Sequence, residues 1–97
     1  MFTIYITDQA QQQITMLKND RGLNKRYKAV KKALYLLAEN PRHKSLQTHE
    51  FTCLKGPEGE KVFEAYAEQA TAAAYRIFWC YGPDKDQITI LAVTKHP

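Results

Sequence analysis

The sequence predicts one α+β domain, in which an N-terminal strand and an antiparallel helical hairpin pack on a mainly antiparallel sheet. Three observations carry this. Residues Leu23 to Asn40 repeat apolar side chains at three- and four-residue spacing, which marks a helix with one buried stripe. Residues 62–94 hold three runs of β-branched and aromatic residues separated by turn formers, which is how a meander reads. The 97-residue length suits a single domain built from about two layers.

Phe2-Thr3-Ile4-Tyr5-Ile6-Thr7 alternates apolar and polar residues and reads as the first strand. Asp8 is the expected cap of a helix carrying the stripe Ala10, Ile14 and Leu17, with Gln11 at a capping-box position. Asp20 to Gly22 break that helix. In the second helix Tyr27, Val30, Leu34 and Leu37 share a face, while Lys25, Lys28, Lys31 and Lys32 lie mostly off it. Asn40-Pro41 stops it, because the residue before proline is pushed out of the α region. Residues 41–61 are irregular, with a short turn or an irregular strand expected within Leu46 to Leu54.

Strands follow at Val62 to Gln69, Tyr75 to Tyr81 and Gln87 to Thr94. In the first of these Val62, Glu64 and Tyr66 share one face. The second is almost continuously apolar, as a strand covered on both sides should be. Gly82-Pro83-Asp84-Lys85-Asp86 has the residue types of a turn.

Composition excludes several classes. An apolar content of 44% argues against disorder. Two cysteines, Cys53 and Cys80, are too few for a disulfide framework and lack the paired spacing of a zinc site. The first residues do not read as a signal peptide, and no stretch approaches the ~20 apolar residues of a membrane span. A reduced, cytoplasmic protein that does not enter a membrane is expected. Nothing in the residues calls for a metal or an organic cofactor. Of the net charge of +4, the excess lies in residues 1–49, with nine Lys/Arg against three acids; residues 50–97 hold five against seven. Such a basic half is either a solvated helix face or an attractor of polyanions.

Arg76 is the only charge in its strand, and alternation places it beside Phe78 and Cys80. A guanidinium does not neutralise itself at ordinary pH. Arg76 is therefore either paired with a carboxylate, Glu64 being the candidate on the neighbouring strand, or it faces a groove and binds an anion. His96 follows the last strand and has the side chain best suited to proton transfer near neutral pH. His43 and His49 make no metal spacing with it. Tyr66, Tyr75 and Tyr81 either pack or stack on bases, and Lys55 and Lys61 flank the Gly-Pro loop.

The order of elements, a strand, a basic helical hairpin and a meander, resembles that of the RelE/ParE toxin superfamily. Tyr75-Arg76-Ile77-Phe78-Trp79 is similar to the family's arginine-bearing strand. Ile88 to Thr94 with Lys95-His96-Pro97 is similar to its closing strand with a terminal histidine, although many members carry a tyrosine where Pro97 stands. His49-Glu50-Phe51 through Leu54-Lys55-Gly56 resembles the family's approach to the sheet. The resemblance implies a toxin restrained by an antitoxin protein. It further implies one of two activities: metal-free cleavage of mRNA on the ribosome by 2′-hydroxyl attack, or inhibition of DNA gyrase. An interaction module without activity is the remaining reading. For cleavage, the resemblance implies that Arg76 stabilises the phosphate and His96 serves as acid or base. Glu64 is then the candidate base, with Glu50 as its substitute and His49 assisting. Lys25, Lys28, Lys32, Lys55, Lys61 and Tyr66 are the expected RNA contacts.

Overall fold

The computed structural model describes residues 1–69 and 73–95. Strand β1 (Thr3–Ile6) leads into helix α1 (Asp8–Asn19) and helix α2 (Asn24–Glu39), joined by one short 3-10 turn. Strands β2 (His49–Lys55), β3 (Lys61–Tyr66), β4 (Tyr75–Tyr81) and β5 (Gln87–Lys95) complete the chain. The sheet order is β1-β5-β4-β3-β2. Neighbours β2 to β5 are antiparallel, and β1 runs parallel to β5.

The cap of α1 differs from expectation. Thr7, not Asp8, is the N-cap: its backbone is extended and its hydroxyl oxygen accepts from the Ala10 amide at 3.2 Å. Asp8 is the first helical residue instead, where its negative charge still complements the helix dipole. Gln11 does not close a capping box; its side chain bonds Thr15 one turn on. The expected stripe is the buried one, Ala10, Ile14 and Leu17. On α2 the fully buried residues are Val30, Ala33 and Leu37, with Tyr27 and Leu34 partly buried at their sides.

Both helices lie on one sheet face, against Phe63, Ala65, Ile77, Trp79, Ile88, Ile90 and Val93. Gln13 of α1 accepts a 2.6 Å hydrogen bond from the Val93 amide. That contact falls just past a bulge, where the β4–β5 register jumps between Phe78 and Trp79. The glutamine side chain thereby ties α1 to the backbone of β5.

The opposite sheet face is also covered along β4, where Arg76 to Cys80 are all buried. The edge strand β2 contributes here. Phe51 meets Phe78 edge-on, with centroids 5.0 Å apart. Strand β2 itself is mostly exposed and slips register against β3 between Glu50 and Lys55. None of the helices described is long and apolar enough to cross a membrane.

Candidate functional site

Strand pairing fixes which side chains meet. Tyr66 lies opposite Arg76, Glu64 opposite Phe78, and His49 opposite Glu64. Because Ile77 and Trp79 face the helices, strand alternation turns Arg76 and Phe78 to the other side. Glu64, Tyr66 and His49 arrive on that same side from two further strands. On β5, Thr94 lies opposite Arg76.

Arg76 is 8% exposed and Glu64 1%. The guanidinium lies over the Tyr66 ring, with Cζ 3.7 Å from the ring centre. One of its amino groups, Nη1, donates to the Glu68 carbonyl at 3.2 Å. Its Nε stands 3.7 Å from Glu64 Oε2, close enough for charge attraction but too far for a hydrogen bond, and has no hydrogen-bond partner among the described residues. The other carboxylate oxygen, Oε1, is 2.8 Å from His49 Nε2. His49 Nδ1 in turn lies 3.0 Å from the Gln47 carbonyl oxygen, and its ring meets Tyr66 edge-on. Buried charge is costly unless it is paired, and here the buried pair of Arg76 and Glu64 is met by the exposed His49 ring.

Arg76 is ion-paired with Glu64, as the first reading expects, and its buried Nε has no hydrogen-bond partner among the described residues. Glu64 is the expected base. Its carboxylate is turned inward to Arg76 and His49, and of the His49–Glu64 pair it is the histidine that solvent reaches, at 47% side-chain exposure against 2%. Glu50 is not its equivalent: it lies opposite Phe63, on the other sheet face.

The remaining predicted residues are scattered. Lys32 lines a depression of about 400 Å³ together with Tyr66, Ala67 and Gln69, so the basic helix borders the cluster there. Lys25 and Lys28 are exposed on α2. Lys55 and Lys61 oppose each other at the far end of the β2–β3 hairpin. Lys61 is five residues along β3 from Tyr66, a span of roughly 17 Å. The structure does not bring these two lysines to Arg76. His43 has a local task, accepting from the Ser45 amide at 3.1 Å. His96 lies outside the described residues.

Arg26 was not singled out by sequence, since nothing separates it from its lysine neighbours. It pairs with Glu68 at 3.6 Å, donates to the Ala73 carbonyl and lies over the Tyr75 ring. It thereby ties α2 to the end of β3 whose backbone holds Arg76. Among the described residues, no three His, Cys, Asp or Glu are grouped so as to hold a metal ion. Cys80 is buried, and burial, followed by the charge of Glu60, pushes its thiol pKa up.

The architecture is that of solved toxin structures. A YoeB dimer from Staphylococcus aureus matches with a TM-score of 0.65 at 15% identity, over 99% of this chain and 98% of that one. A YoeB/ParE toxin from Agrobacterium tumefaciens matches with a TM-score of 0.70 at 8% identity, over 100% of both chains. A copper-bound mutant toxin from Helicobacter pylori matches with a TM-score of 0.60 at 14% identity, over 99% of this chain and 96% of that one. No family model matches the sequence, and no curated protein matches it. At these identities the likeness shows the fold, and the fold is RelE/ParE-like.

Proposed function

We propose that this chain is the toxin of a toxin–antitoxin pair and that it cuts mRNA on the ribosome, by attack of a 2′-hydroxyl on the neighbouring phosphate. The observation that carries the reading is Arg76: a buried guanidinium braced by Tyr66 and Glu64, with no partner for its Nε–H among the described residues, linked through Glu64 to an exposed imidazole. Such a cation is pre-arranged for charge that grows on a phosphate in the transition state. The imidazole supplies proton transfer, the other requirement of this chemistry. A fold shared with solved YoeB and ParE toxins supports the toxin role.

In this reading Arg76 stabilises the phosphorane, and His49 with Glu64 moves a proton. Tyr66 offers its ring edge to a nucleotide, and His96, carried from the family resemblance, completes the acid–base set. Lys32, Lys28 and Lys25 on α2 engage RNA phosphates. An antitoxin protein, the ribosome and mRNA are the partners, which places the protein in the cytoplasm. No step in this chemistry calls on a metal. The test is induced expression followed by mapping of mRNA ends. Growth arrest with new ends inside codons supports the proposal; normal growth with intact mRNA overturns it.

A further inference from the structure

We infer that His49 is the general acid of this site and that Glu64 is its positioning residue, the two together holding one more proton than a neutral histidine and a carboxylate would. The inference rests on the nuclease reading and deepens it.

The argument is one of donors and acceptors. His49 Nδ1 faces the Gln47 carbonyl oxygen at 3.0 Å, and Nε2 faces Glu64 Oε1 at 2.8 Å. A carbonyl oxygen can only accept, so Nδ1 carries a proton. A carboxylate oxygen can only accept, so Nε2 carries one as well. A neutral ring has a single N–H, and would set a lone pair against a lone pair at one of these contacts. Placing the second proton on Oε1 instead leaves the count unchanged. The Arg76 cation, 3.7 Å from Oε2, sits best beside a carboxylate, which puts both protons on the ring.

Exposure then divides the roles. The Nε2 contact is partly buried, whereas the Nδ1 contact is exposed. The proton that a substrate can reach is therefore the one on Nδ1. During cleavage the 2′-oxygen forms a bond to phosphorus and its proton passes to water. The bond from phosphorus to the 5′-oxygen breaks, its electron pair stays on that oxygen, and the oxygen takes the Nδ1 proton. The products are a 2′,3′-cyclic phosphate and a 5′-hydroxyl. His49 is left neutral, with Nε2–H still bonded to Glu64 and a bare Nδ1 facing the Gln47 carbonyl. Return of a proton from water to Nδ1 resets the acid.

The test uses ribosomes programmed with ordinary mRNA, or with mRNA carrying one bridging 5′-phosphorothiolate at the cleaved linkage. A sulfur leaving group needs no protonation, so it bypasses a general acid. His49→Ala is expected to slow cutting of ordinary mRNA on the order of 10²–10⁴-fold while cutting the thiolate nearly as fast as wild type. Equal slowing on both substrates, in a variant whose circular dichroism matches wild type, overturns the assignment. If that variant does not fold, His49→Gln gives the same readout, since it keeps a donor for Glu64 but no acidic proton. Wild-type protein that cuts neither RNA overturns the nuclease reading itself, and the acid with it. The proton count has its own measurement, the long-range proton–nitrogen spectrum of His49 at the pH of the assay. Two protonated ring nitrogens in wild type and one in Glu64→Gln support the pair; a singly protonated ring in wild type overturns it.

Discussion

The guanidinium carbon of Arg76 rests 3.7 Å from the centre of the Tyr66 ring, directly across the β3–β4 ladder. A cation desolvated against an aromatic face gains about 2 kcal/mol or more. Tyr66→Leu removes the aromatic face and is expected to destabilise the protein by about that amount. Tyr66→Phe keeps the face and should stay close to wild type. Urea denaturation of the two variants checks the difference.

Removing the charge has a larger effect. In Arg76→Met the nearly inaccessible carboxylate of Glu64 loses its cation, which costs about 3–5 kcal/mol when a buried pair is broken. The double variant Arg76→Met/Glu64→Leu should recover much of that stability, because no charge is then stranded. Cleavage should be absent from both. A double-mutant cycle by urea denaturation, with an activity assay alongside, separates the structural role of the pair from the chemical one.

The Thr7 cap gives a prediction remote from the site. Thr7→Ala removes the acceptor of the Ala10 amide and the donor to the Leu91 carbonyl. A loss of about 1 kcal/mol is expected, the usual cost of an uncapped helix, with activity unchanged. Thermal unfolding measures it.

The two thiols should differ sharply. Cys53 is exposed and Cys80 buried, so a thiol reagent should titrate Cys53 at once and Cys80 only on unfolding. Burial raises the Cys80 pKa in the fold. The unfolded chain therefore loses this proton first as pH rises. The stability Cys80 contributes is complete below the ordinary thiol value and is lost as pH climbs through the raised one. Cys80→Ala should flatten that part of the alkaline stability profile.

Particular residues show what the sequence could reveal. The Ala10–Ile14–Leu17 stripe and the run from Tyr75 to Tyr81 were legible, because helix and strand periods act locally. Alternation also grouped Glu64 with Tyr66 and Arg76 with Phe78, but only the pairing of β3 with β4 put the two groups on one face. What sequence hid was set by distant pairing. The parallel contact of β1 with β5, the slipped register of β2 and the contact between His49 and Glu64 all join segments with no local mark of one another. Thr7 and Asp8 are both good caps by type, and only backbone geometry decides between them. Arg26 looked like one more surface cation until the fold set it against Glu68.

The central claim is that Arg76 serves RNA cleavage, and a reconstituted translation reaction tests it most directly. Purified protein is added, mRNA ends are mapped by primer extension, and wild type is compared with Arg76→Lys, which keeps the charge but loses the planar fork. The account predicts new ends within codons for wild type and a marked loss of them for the variant, at equal folded fraction. Intact mRNA with wild-type protein, together with inhibition of gyrase supercoiling, would contradict it.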